Sequence, residues 1–107
     1  MQNLSVVELA AWLADPSRPT PQLVDVREPW EFELGHLPAS TLMPLNTVPQ
    51  RWQTLADDQP IICICHHGMR SMQAALFIEG QGFTQVYNLS GGVHAWSNQI
   101  DPSFPQY

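Results

Sequence analysis

Ile61-Ile62-Cys63-Ile64-Cys65-His66-His67-Gly68-Met69-Arg70-Ser71, running on into Met72-Gln73-Ala74-Ala75-Leu76-Phe77-Ile78, decides how this chain folds. A short apolar run rich in β-branched residues stops at a cysteine. A polar loop with one glycine follows, and apolar residues then recur at helical spacing. That order predicts a buried strand, a tight loop and a helix over 71–79, with Cys65 at the turn. Such a turn directs open backbone N–H groups, and the positive end of the helix dipole, into one small volume that favours an anion. The anion the sequence offers is a thiolate. Most free cysteines are inert core residues. Here His, Gly and Arg surround the turn, and none of them fills a dry core, so Cys65 reads as the reactive group and Cys63 as core.

Outward from this centre the chain alternates strand and helix. Ser5-Val6-Val7-Glu8 is a capping box, and Val6, Leu9, Ala10 and Leu13 continue it at helical spacing until Asp15-Pro16. Leu23 to Val26 reads as a strand, Trp30 to Leu34 as a short helix behind Pro29 and ahead of Gly35, and Thr41 to Met43 as a second strand. A helix is expected from near Thr47, with Val48, Trp52 and Leu55 on one face. After the central strand and helix, Gln85 to Leu89 forms the next strand, and Ser90-Gly91-Gly92 opens a last helix through Val93, Ala95 and Trp96. From about residue 99 an irregular tail is expected to lie over the surface. Alternation of this kind implies parallel strands joined by right-handed crossovers, with ligands bound at the edge where the strands end. Four loops meet there: Arg27-Glu28, Pro44-Leu45-Asn46, Cys65 to Arg70, and Ser90-Gly91-Gly92.

At 107 residues, 44% of them hydrophobic, the chain reads as one domain, 1–107, with a core of its own. Ten acidic residues against four arginines and no lysine give a net charge of −6, which disfavours nucleic acid and anionic membrane as partners. No run spans a bilayer and no basic-then-apolar leader opens the sequence. These features point to the cytoplasm, where both cysteines stay reduced.

A free thiol, with a pKa of about 8.5, is mostly protonated near neutrality, so a cysteine nucleophile needs an environment that favours its anion. Loop amides, the helix terminus and Arg70 supply one in principle, and Gly68 lets the loop curl around the sulfur. Loop size then limits the chemistry. Cysteine phosphatases place five residues between cysteine and arginine to encircle a phosphate. Only His66, His67, Gly68 and Met69 separate Cys65 from Arg70. The smaller ring suits one extra sulfur atom, whose charge in a persulfide sits where the amides point.

Three stretches together resemble the rhodanese (sulfurtransferase) family, in particular its small single-domain bacterial members. They are Leu23-Val24-Asp25-Val26-Arg27-Glu28-Pro29-Trp30-Glu31-Phe32 through Gly35-His36-Leu37-Pro38-Ala39-Ser40, Cys65 to Ser71, and Leu89-Ser90-Gly91-Gly92-Val93-His94-Ala95-Trp96. The resemblance implies an α/β fold, a parallel sheet with helices on both faces. The family's first strand has only Gln2 to Leu4 to occupy, so four to five strands are expected. It implies Cys65 as carrier of a persulfide, His66, His67, Gly68, Met69 and Arg70 as the substrate cradle, and Asp25, Arg27 and Ser71 as supports. The activity implied is of the thiosulfate sulfurtransferase class, without cofactor. Its donor would be a small sulfur compound or a persulfide-bearing protein, and its acceptor could be a protein. The tail from Ile100 resembles that of rhodanese domains fused to ubiquitin-like activating enzymes, which deliver sulfur to carrier proteins.

Other readings compete. A cysteine phosphatase or arsenate-reductase-like enzyme on the same fold is disfavoured by loop length, and a non-catalytic binding module by the intact cysteine loop. Zinc held by Cys63, Cys65, His66 and His67 is disfavoured because neighbours on a strand and tight loop cannot all reach one tetrahedral ion, so no metal is expected. His66 and His67 read equally as cradle donors and as solvated loop. His36 reads as structural, Glu28, Glu31 and Glu33 as a solvated acidic rim, and Trp12, Trp30, Trp52 and Trp96 as packing residues on helix faces.

Overall fold

A computed structural model describes residues 1–107. Its sheet has five strands: β1 (Gln2–Leu4), β2 (Gln22–Asp25), β3 (Thr41–Leu42), β4 (Ile61–Ile64) and β5 (Val86–Leu89). They lie in the order β1-β5-β4-β2-β3, every neighbouring pair parallel. β4 therefore occupies the middle, and all four of its residues are buried because both faces of the sheet are covered. Alternate side chains serve two cores. Ile62 and Ile64 join Leu23, Leu89, Leu9, Trp12, Val93 and Trp96 on one face. Ile61, Cys63 and Cys65 join Val24, Val26, Val48, Ala74, Ala75 and Ile78 on the other.

The helices are α1 (Val6–Leu13), α2 (Pro29–Leu34), α3 (Val48–Arg51), α4 (Met69–Gly80) and α5 (Gly92–Gln99). The α1 capping box forms as its sequence requires: Glu8 N–H donates to Ser5 Oγ at 3.0 Å and Ser5 N–H to Glu8 Oε1 at 2.9 Å. α4 starts at Met69, two residues ahead of the expected 71. The segment expected as a helix from near Thr47 is only one α-helical turn between two 3₁₀ turns, Leu45–Thr47 and Trp52–Thr54. Pro49 has no N–H to give the carbonyl of Leu45, so an α-helix cannot run through the first of these. β1 does form: Leu4 pairs with Leu89, and Ser90 N–H reaches the Leu4 carbonyl at 2.8 Å.

Two surface expectations change. Trp12 and Trp96 are buried and Trp52 packs edge-on to Phe83, but Trp30 is 60% exposed, because the inward residue of α2 is Glu31; the Trp30 ring meets Tyr107 edge-on. The tail beyond α5 does not simply lie over the surface. Phe104 enters the core beside Trp96, and its carbonyl accepts from Ser97 Oγ at 2.9 Å. Pro105 passes so close to Gly35 that a Cβ there would lie 2.7 Å from its ring. The absent side chain at Gly35 thus opens the tail's path toward the strand ends.

Candidate active site

Register places the site. Asp25 of β2 stands beside Ile64 of β4, Cys63 stands beside Asn88 of β5, and Val26 N–H donates to the Ile64 carbonyl. Cys65 follows at once, at the edge where these strands end. Gly68 caps α4 with φ +106°, a conformation open to glycine, and so turns the chain from strand to helix within three residues of Cys65. Its N–H donates to Cys65 Sγ at 3.0 Å. The amides of Met69, Arg70 and Ser71 make up the first turn of α4 and have no intrahelical acceptor.

A closed set of hydrogen bonds holds the sulfur. Ser71 Oγ lies 3.2 Å from Cys65 Sγ and donates to Asn88 Oδ1 at 2.5 Å, and Asn88 Nδ2 donates to the Gly68 carbonyl at 3.2 Å. A serine has one hydroxyl hydrogen, and Asn88 takes it, so the thiol is the donor toward Ser71 Oγ. The same hydroxyl, turned from Asn88, is within reach of the sulfur as a second donor beside the Gly68 N–H. Cys65 itself is only 1% exposed, beneath its own loop. Burial, then the neighbouring Cys65, pushes the Cys63 thiol up to about 12.

Arg70 does not stand free beside the sulfur. It grips Glu31 with two bonds, Nη1 to Oε1 at 2.7 Å and Nη2 to Oε2 at 2.9 Å. Glu31 is therefore not part of a solvated rim; it is 3% exposed, and Arg70 above all holds its carboxyl down at about 2 against the opposing cost of burial. The Tyr107 hydroxyl donates to Glu31 Oε2 at 2.6 Å and accepts from Arg27 Nη1 at 3.0 Å. Arg27 and Asp25 are both wholly buried and paired, with Nη2 to Oδ2 at 2.7 Å and Nε to Oδ1 at 2.9 Å. Arg27 Nη2 also donates to the Gly35 carbonyl at 2.7 Å. A continuous polar chain thus runs from Asp25 through Arg27, Tyr107 and Glu31 to Arg70. Asp25 and Arg27 reach the cysteine loop only through it.

The remaining loop side chains form a rim. Met69 is 70% exposed, and His67 is exposed. His66 stacks between His67 and Tyr107, with ring centroids 4.1 Å from each. Burial, then the neighbouring His67, holds His66 below the ordinary histidine range. His36 is structural as expected, stacked on Phe32 with Nδ1 2.9 Å from the Phe32 carbonyl oxygen.

The last helix locks the loop from the other side. Val93 N–H donates to the Cys65 carbonyl at 2.9 Å and His94 N–H to that of His66 at 3.0 Å. Only glycine allows this approach: at Gly92, with φ +58°, a Cβ would collide with both carbonyls. Sequence reasoning did not single out Asn88, Tyr107 or His94. For Asn88 the one available signal was an amide in an otherwise apolar strand, since a buried amide needs partners.

Comparison with known proteins agrees with this architecture. A family model described as rhodanese-like domain matches residues 5–99. The chain is 38% identical over its full length to rhodanese-like/PpiC domain-containing protein 12, chloroplastic, of Arabidopsis thaliana, and spans 38% of that protein. It is also 38% identical to the thiosulfate sulfurtransferase GlpE of Pseudomonas syringae, an alignment covering 69% of this chain and 70% of that one. A rhodanese-like domain protein of Staphylococcus aureus superposes with a TM-score of 0.82 at 29% identity, over 94% of this chain and 95% of the other. The chain belongs to the rhodanese-like domain family.

Proposed function

We propose that the protein is a sulfurtransferase that carries sulfane sulfur on Cys65. The observation that carries this reading is the Gly68 amide on Cys65 Sγ at 3.0 Å, inside a turn that reaches Arg70 with four intervening residues. With thiosulfate as donor, the Cys65 thiolate attacks the outer sulfur, a new S–S bond forms, and the old one breaks with its electron pair leaving on sulfite. An acceptor nucleophile then attacks the outer sulfur of the persulfide and returns Cys65 as thiolate. The first-turn amides of α4 stabilise the charge on that outer atom. Cys65 is buried, so the donor must reach it past the loop, whose outward side chains are Met69, His66 and His67. GlpE of Pseudomonas syringae, named a thiosulfate sulfurtransferase, is a relative that supports the choice of donor class. A persulfide-bearing protein is the other donor, and a protein acceptor is compatible with the exposed Met69 of the loop and the exposed Trp30, which meets Tyr107 edge-on. Both cysteines are unpaired and no helix is long and apolar enough to cross a membrane; the reading places the reaction in the cytoplasm, where thiols persist.

Turnover tests it. Thiosulfate with cyanide as acceptor is expected to give thiocyanate with wild type and none with Cys65→Ser, while an aryl phosphate is not hydrolysed. Phosphate release that depends on Cys65, without thiocyanate, would replace sulfur transfer with the phosphatase reading.

A further inference from the structure

Three of the four histidines converge at one place on the surface. His66 and His67 come from the cysteine loop and His94 from the first turn of α5, twenty-seven residues beyond His67 in the chain. One ligand nitrogen from each lies within 4.8 Å of the other two. The ring centroids of His67 and His94 are 4.8 Å apart, and those of His66 and His94 6.1 Å. The main chain fixes this approach: His94 N–H is bonded to the His66 carbonyl, and Gly92 lets α5 sit against the loop. We propose that His66, His67 and His94 form a binding site for a divalent transition metal ion of the zinc class, with a fourth position open to solvent or to an anion.

The donor chemistry fits. Three imidazoles are a recurrent ligand set for zinc, with Zn–N bonds of about 2.0–2.1 Å, which in a tetrahedral site place the nitrogens about 3.3 Å apart. From a limit of 4.8 Å the nitrogens have about 1.5 Å to close, and two of the three side chains are exposed and one half-buried. Neither thiol competes, since Cys63 and Cys65 are both buried. No carboxylate bridges the three rings, and the net charge of −6 favours a cation over an anion at the surface. The unsuitability of Cys63, Cys65 and the adjacent histidines as a ligand set does not extend to this site, because its third ligand comes from another element.

Zinc competition against a chromophoric chelator tests the proposal on the full chain, with Co²⁺ as a spectroscopic substitute. One ion per chain is expected. His94→Ala and His67→Ala should each weaken binding at least tenfold, while His36→Ala, which removes the histidine outside the cluster, should leave it unchanged. Cys63→Ser and Cys65→Ser should leave it unchanged as well, and bound Co²⁺ should give a tetrahedral spectrum without thiolate charge transfer. Absence of binding at micromolar zinc, affinity indifferent to His94→Ala, or binding lost in either cysteine variant would each overturn it. None of these readouts depends on sulfur transfer.

Discussion

The Ser71 hydroxyl hydrogen decides which partner the sulfur has. One hydrogen serves one acceptor at a time, so Ser71 can donate to Asn88 or to the Cys65 sulfur, and a sulfur anion gains it as a second donor only when it turns. Ser71→Ala removes the turn and leaves Asn88 Oδ1 buried without its donor, at a cost of about 1–3 kcal/mol by urea unfolding. On the proposed chemistry, the rate at which thiosulfate loads Cys65 should fall about tenfold, the effect of losing about 1.4 kcal/mol of charge-assisted bonding. Glu31 yields a pH prediction. Its folded pKa of about 2 lies below the ordinary 4.5, so its contribution is complete above about pH 4.5 and disappears as pH falls toward 2. That contribution is about 2–3 kcal/mol, at the lower end because Arg70 is one-third exposed. Glu31→Gln should flatten the acid side of the stability profile and lower stability at neutral pH. In the sequence Ser71 appeared only as a support implied by the family resemblance, and the role of Glu31 was not legible at all. Glu28, Glu31 and Glu33 look alike there, and the partner that singles out Glu31 is thirty-nine residues away.

At the scale of elements, the strand–loop–helix from Ile61 to Gly80 was legible because its apolar run, its glycine and its helical spacing act locally. The segment after Thr47 was legible in its start, since a helix does begin at Val48, but not in its length: after one α-helical turn it passes into the 3₁₀ turn Trp52–Thr54. β1 was uncertain for a different reason. Three residues carry no periodicity, and only the register of Leu4 against Leu89 makes them a strand. Gly91-Gly92 read as a helix start, and its closer duty is to let α5 touch the loop. Gly92→Ala combines a strained φ with a collision against the Cys65 and His66 carbonyls, so the loop and α5 must separate. It should cost at least about 2 kcal/mol in thermal unfolding. Hydrogen exchange should quicken at the amides of Val93 and His94, while α1 keeps its protection.

For the whole molecule, a central strand covered on both faces leaves the strand-end edge as the place where chemistry is exposed, and that much follows from alternation alone. What alternation could not give is closure from the far end of the chain. Phe104 anchors the tail in one core, Gly35 clears its path, and Tyr107 joins Arg27 to Glu31 and stacks on His66. The contacts of Pro105 and Tyr107 with Gly35, Arg27 and Glu31 span seventy residues or more and have no local signature. The central claim is that this architecture makes Cys65, and not its buried neighbour Cys63, a carrier of one sulfur atom. Intact-mass measurement after exposure to thiosulfate, followed by peptide mapping, tests it most directly. The account predicts a gain of one sulfur on wild type and on Cys63→Ala, located at Cys65 and released by cyanide. An unchanged mass for wild type, or an equal gain by Cys65→Ser, would contradict it.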